Sequence, residues 1–157
     1  MTPDTIVIHC SATREGENVT AAHIDQWHRQ RGFRKIGYHY VVRLDGTVER
    51  GRQTWEIGAH CSEADESGLS YNRHSIGICY IGGLDAGGKG KDTRTEEQKR
   101  ALGSLIERLC KVYSIKRIIG HRDASPDRNG NGVVEPHEWL KVCPCFDAAK
   151  EYGGYVR

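Results

Sequence analysis

No run in this sequence is long and apolar enough to span a membrane, and its opening, MTPDTIVIHCSATREGENVT, lacks the features of a secretory signal. There is no basic stretch, no extended apolar run and no small-residue cleavage site. Cytoplasmic synthesis is the expectation. Net charge is also nearly absent, since 23 Lys and Arg against 21 Asp and Glu leave +2. That balance gives no electrostatic footprint for nucleic acid and none for an anionic membrane. Internal repeats and domain-sized linkers are missing too. A chain of 157 residues with 37% hydrophobic content can bury one core and not comfortably two, so one domain over 1–157, acting as a monomer, is expected. Cysteine is the exception to this scarcity. The six thiols, Cys10, Cys61, Cys79, Cys110, Cys143 and Cys145, would suit a disulfide set in a small secreted domain. Without a secretory signal they are expected to stay reduced, most of them in the core and one or two on a metal.

The β-branched run TIVIHC (Thr5 to Cys10) predicts a buried strand that delivers His9 at its C-terminal end. After the loop SATREGENV, Ile24, Trp27, His28 and Arg31 recur at helical spacing behind Thr20. They predict a helix from about Ala21 to Arg31 with that stripe on the core. YHYVVRLDGTVERG has two alternating runs joined by Asp45-Gly46, which predicts a β-hairpin whose turn has positive φ at both central residues. SIGICYIGG (Ser75 to Gly83) predicts a further strand, and LDAGGKGKD a mobile surface loop. Thr95 and Gln98 form a capping box before Leu102, Leu105, Ile106, Leu109 and Val112, a helix ending near Tyr113. KRIIGH is a last strand, again ending on a histidine, and Asp147 caps a short helix over Ala148 to Tyr152. This order of elements implies an α/β fold with a central mixed β-sheet flanked by helices.

His9 and His121 thus fall at the C-terminal ends of separate strands, the edge at which open sheets place their sites. Cys143 follows in a turn constrained by Pro144. Two imidazoles and one thiolate form a three-ligand zinc set with a fourth position for water, the arrangement of a catalytic zinc. Spacing alone equally describes a core histidine, a surface histidine and a buried cysteine.

The motifs VIHCSAT, GYHY, LDGTVERGR, IGAH, NRHSIGICYIGG, GHRD and KVCPCFD settle on one resemblance. In this order the sequence resembles the zinc-dependent N-acetylmuramoyl-L-alanine amidases of bacteriophages, a family related to animal peptidoglycan recognition proteins, from about Asp4 to Tyr152. The resemblance implies hydrolysis of the amide between N-acetylmuramic acid and L-alanine, in cell-wall lysis or turnover. Zinc would be held by His9, His121 and Cys143. It also implies that Tyr38 and Lys141 are needed for hydrolysis: a cation beside the attacked amide stabilises the oxyanion, and the tyrosine orients the water or the tetrahedral intermediate. His60, Trp55 and Asn72 are placed along the substrate cleft. Peptidoglycan or a muropeptide is the implied partner, met at the wall after release or as fragments in the cytoplasm. A recognition module that binds without cutting is the alternative; such modules commonly lack one metal ligand. Cys145 departs from the phage pattern, which usually carries serine there, and leaves open which thiolate of Cys143-Pro144-Cys145 ligates. The family's geometry favours Cys143.

In phage members the second histidine and the ligand cysteine lie closer in sequence, so PDRNGNGVVEPHEWL, within 126–140, behaves as an insertion. Asp127, Asn129, Asn131, Gly132 and Glu138 fall at positions 1, 3, 5, 6 and 12 of the EF-hand loop pattern, with Val134 at the apolar position 8. The Val133 carbonyl would add an oxygen, Glu138 would close the site bidentately, and Pro136 would open a helix through Trp139. Calcium is therefore the second expected cofactor. A loop rich in Asn and Gly for turn reasons alone fits the same residues.

Overall fold

Thr5–Cys10 forms strand β1, and all 6 of its residues are buried, as a strand covered on both faces requires. In the computed structural model, which describes residues 1–157, the chain continues through β2 (Thr13–Arg14), α1 (Ala21–Gln30), β3 (Tyr40–Val42) and β4 (Val48–Arg50). It then forms β5 (Ser75–Tyr80), β6 (Gly83–Leu84), α2 (Glu96–Val112), β7 (Arg117–Gly120) and α3 (Ala148–Tyr152). The main sheet has 5 strands in the order β4-β3-β5-β1-β7, with β4 antiparallel to β3 and the other pairings parallel. This is the mixed sheet that the element order implied. No helix is long and apolar enough to cross a membrane.

Side-chain alternation splits the core across the sheet. Ile6, Ile8 and Cys10 of β1 pack with Ile76, Ile78 and Tyr80 of β5 beneath Leu102, Leu105, Ile106 and Leu109 of α2. Each such aliphatic side chain contributes about 1.5–3 kcal/mol on full burial. Val7, with Ile119, faces the opposite side, and so does Val41 of β3, which packs with Cys79 against Ile24 of α1. His9 shares the parity of Val7 and therefore points to the α1 side of the sheet.

The capping box behaves as expected and does more. Thr95 Oγ1 accepts the Gln98 N–H at 3.0 Å and Gln98 Oε1 accepts the Thr95 N–H at 2.9 Å. Gln98 Nε2, fully buried, also donates to the carbonyls of Val42 and Ile81, so the start of α2 is tied to the ends of two strands. A few residues earlier the buried Arg94 gathers the C-terminal segment. It forms paired hydrogen bonds of 2.9 Å to Asp92, bonds of 2.6 and 2.9 Å to Glu151, and one of 2.9 Å to the Tyr152 hydroxyl. Its guanidinium lies 3.4 Å from the centre of the Phe146 ring.

Four local expectations differ. Only Gly46, at φ 88°, has positive φ in the hairpin turn. The Gly46 N–H bonds to Arg43 O and the Arg43 N–H to Thr47 O, a three-residue loop closed by a glycine bulge rather than a two-residue turn. Trp27 is 40% exposed, because the buried stripe of α1 runs through Ala21, Ile24 and His28 and leaves Trp27 on the outer wall. Val112 is 66% exposed, and Cys110 completes the buried face of α2 instead. The predicted strand to Gly83 breaks after Tyr80, where Gly82 takes φ 133°, and resumes as β6 to pair with β2. The glycine-rich stretch beyond it is closed by Asp85, whose Oδ1 accepts the N–H groups of Gly87 and Lys89 at 2.9 Å.

Candidate metal centre

Register brings the two histidines together. Ile8 of β1 lies opposite Gly120 of β7, so the next residues, His9 and His121, stand side by side with ring centroids 4.7 Å apart. Both are buried. Cys143 arrives from 134 residues further along the chain, its Sγ 4.0 Å from His9 Nδ1 and accepting the Cys10 N–H at 3.2 Å. One donor atom from each of these three residues lies within 4.8 Å of the others. A tetrahedral zinc holds nitrogen and sulfur ligands roughly 3.6 Å apart, from bonds of about 2.0 and 2.3 Å, so the donor set fits that ion. Cys145 does not join it. With φ 72° its side chain turns away, and its thiol donates to the Gly83 carbonyl at 3.3 Å. All six cysteines are free thiols.

The far side of His9 is held by a chain of hydrogen bonds. His9 Nε2 lies 2.9 Å from His60 Nδ1, His60 Nε2 lies 3.5 Å from Ser75 Oγ, and Ser75 Oγ donates to Tyr71 O at 2.6 Å. Because the serine hydrogen is committed to the carbonyl, His60 Nε2–H donates to Ser75 and His9 Nε2–H donates to His60. The lone pair of His9 is then on Nδ1, the atom facing Cys143. Burial, followed by the neighbouring histidines, pushes the pKa of His9 well below the ordinary value; burial and then His39 do the same for His60, so both rings are neutral. Room for His60 comes from Gly77, where a Cβ would lie 2.6 Å from the imidazole. Asn72 fixes the segment, its Oδ1 accepting the N–H groups of His60 and Cys61 at 2.8 Å each.

Behind His121 stands Glu63, which nothing in the motifs singled out. Both of its carboxylate oxygens lie 3.2 Å from His121 Nε2, and the Cys61 thiol donates to Oε2 at 3.2 Å. Burial opposes charge on His121, yet Cys61 and Glu63 outweigh it and push the ring up to about 9, while the same contact draws Glu63 down to about 2. Cys61, Glu63 and His121 form a second group with metal-ligand spacing that shares His121 with the first.

A cleft of about 300 Å³ opens above His9, and its lining includes Tyr38, His60, Lys141 and Cys143. The Tyr38 ring centroid is 5.0 Å from that of His9, and burial, with the nearby thiols, keeps its phenol protonated. Trp27, Arg31 and Phe33 form the outer wall, three residues that helical periodicity assigned to the core or did not assign at all. His28 supports the floor, its Nδ1 accepting the Gly37 N–H at 2.9 Å beneath Tyr38. An adjoining cavity of about 190 Å³ is lined by His60, Glu63, Asn72, His121 and Lys141, among others. Trp55 lines neither cavity and is 64% exposed, so the structure does not bring it to the cleft; the β4 connection carries it outward instead.

Residues 126–140 form a succession of side-chain-closed turns, and no EF-hand helix flanks them. Asp127 accepts the N–H groups of Gly130 and Gly132, Asn129 that of Asn131, and Asn131 that of Val133. Glu138, buried, accepts from Arg128, Asn129 and Glu135. The expected helix after Pro136 is a single 3-10 turn, Pro136–Glu138, because Trp139 leaves it in an extended conformation. The base is closed by Leu140 N–H to Ser125 Oγ at 3.0 Å, by Arg122 N–H to Cys143 O at 2.8 Å, and by Arg122 lying 4.0 Å over the Trp139 ring.

The model of the N-acetylmuramoyl-L-alanine amidase family matches residues 1–136. Among curated relatives the chain is 36% identical over 146 residues to the endolysin of Enterobacteria phage T3, covering 93% of this chain and 83% of that one. Among solved structures it superposes on the N-acetylmuramoyl-L-alanine amidase LysC from Clostridium intestinale with a TM-score of 0.70 and 27% identity, covering 99% of this chain and 87% of that one. The ectodomain complex of the peptidoglycan recognition proteins LCa and LCx bound to tracheal cytotoxin shares the fold, at a TM-score of 0.67 and 24% identity over 95% of this chain and 80% of that one. With the family model matching most of the chain and a phage endolysin aligned along nearly all of it, the protein belongs to the N-acetylmuramoyl-L-alanine amidase family and is an amidase.

Proposed function

We propose that the protein is a zinc hydrolase that cuts the amide between the lactyl group of N-acetylmuramic acid and the first L-alanine of the peptidoglycan stem. The observation that carries this reading is the convergence of His9, His121 and Cys143 at the inner end of a cleft walled by Tyr38 and Lys141. Those three donors would hold the zinc, which would supply Lewis acidity and lower the pKa of a water. The remaining work belongs to side chains. Lys141 faces the negative charge that grows on the carbonyl oxygen, and Tyr38, a neutral phenol, orients the reacting amide through its O–H. Trp27 and Phe33 offer apolar faces to the glycopeptide, while Arg31 meets a carboxylate of the stem.

The test is a mass-spectrometric digest of intact sacculi and of soluble muropeptides with zinc-loaded, metal-stripped and zinc-restored protein. Stem peptides with a free N-terminal L-alanine, appearing only with metal, are the expected product. Release from sacculi marks a lytic enzyme, and release from fragments alone an enzyme of turnover. Binding without any cleavage would replace this reading with a recognition module.

We also propose calcium for the 126–140 loop. The support is its register against the EF-hand pattern, together with the inward turn of Asp127, Asn129 and Asn131 onto the loop's own N–H groups. A filled loop would hold Lys141 and Cys143 in place. Terbium luminescence sensitised by Trp139, displaced by calcium and lost in Glu138→Gln, is the expected result. No luminescence, or zinc affinity and activity unchanged after calcium removal, would end the idea.

A further inference from the structure

We propose that Glu63 is a positioning residue for the metal centre, accepting the Nε2–H of His121 and so presenting His121 Nδ1 to the ion. The inference rests on the zinc reading above. His121 has two ring nitrogens, and Nε2 lies 3.2 Å from each carboxylate oxygen of Glu63, so the N–H is shared between them and only Nδ1 remains free to ligate. A carboxylate on the outer nitrogen fixes the tautomer and ring orientation of a ligating histidine and strengthens it as a donor.

Glu63 is held for this task. The Tyr71 N–H bonds to its carbonyl at 3.0 Å, the Asn72 N–H bonds to Cys61 O at 2.9 Å, and Ala64 bridges to Ser70. Its side chain is 21% exposed, and the buried Cys61 thiol donates to its Oε2. The two histidines are therefore backed differently: His9 by the neutral pair His60 and Ser75, His121 by a full negative charge. Zinc with one thiolate carries a single positive charge, and Glu63 beside it makes the buried assembly neutral. His9 and His121 are both buried, and charge placed beside them gains from that cancellation, since an unbalanced buried charge is costly.

The experiment measures zinc affinity by competition with a chromophoric chelator, zinc stoichiometry, and the melting temperature of the metal-free protein, for the native chain and for Glu63→Gln and Glu63→Ala. The native chain is expected to bind one equivalent. Glu63→Ala should weaken binding about 10–100-fold, the range for a lost outer partner. Glu63→Gln keeps an oxygen acceptor without the charge and should fall between the two. Without metal both variants lose the ion pair between Glu63 and His121 and should melt lower, so affinity is measured well below either melting temperature. Affinity within twofold of the native value in both variants, measured where each is fully folded, would overturn the proposal. Two equivalents, the second abolished by Cys61→Ser, would overturn it by making Glu63 a ligand to another ion. A native chain that binds no zinc at all would instead remove the zinc reading, leaving the hydrogen bond to His121 without that role.

Discussion

Lys141→Ala is expected to lower kcat by about 10²–10³-fold, the cost of removing one donor that stabilises a developing oxyanion, with zinc content unchanged. Lys141 lines both the main cleft and the adjoining cavity, and it sits two residues before Cys143. Its charge therefore stands beside the candidate metal centre without being a donor to it. A ground-state contact would act on KM; a contact that strengthens as the carbonyl oxygen gains charge acts on kcat. Steady-state kinetics on a defined muropeptide separates the two. A raised KM with kcat intact would reassign Lys141 to holding the stem peptide.

Arg94→Ala is expected to destabilise the protein by about 3 kcal/mol, toward the lower end for breaking a buried ion pair, which lowers the melting temperature by roughly 6–12 °C for a chain of this size. The guanidinium is 2% exposed and serves two carboxylates, a tyrosine hydroxyl and the Phe146 ring. Asp92 and Glu151 are 34% and 42% exposed, so they regain water when the cation is lost, which keeps the cost from going higher. Zinc affinity should weaken in parallel, because Phe146 lies three residues beyond Cys143 and the clamp fixes where that segment leaves the core. Calorimetry of the metal-free variant checks the first effect. A melting temperature within 2 °C of the native value would show that the packing around Phe146 closes without the arginine.

What was legible in the sequence was whatever a short window of residues decides. β1 announced itself through β-branched apolar residues, α2 through Thr95 and Gln98, and α3 through Asp147, whose Oδ1 accepts the Lys150 N–H. The motifs also grouped His9, His121 and Cys143, which the fold brings within coordinating reach. Contacts made across the chain were hidden. Glu63 meets His121 from 58 residues away, inside an acidic stretch that looks like ordinary surface. β2 and β6 are two residues each, too short for any periodicity to register. Trp27 follows the helical spacing and still faces outward, because the cleft makes the exterior of α1 a wall rather than a solvated side.

β1 lies between β5 and β7, and both of its partners are made later than it is. On the ribosome the first strand therefore waits for Tyr80 before it gains one neighbour and for Gly120 before it gains the other. The last metal donor follows 134 residues behind the first. Loop-closure entropy of that size must be met before the three donors meet, so the site is a late product of folding in each new chain. An ion held there would join the first strand to the C-terminal segment like a clasp, so that binding it would stabilise the closed chain.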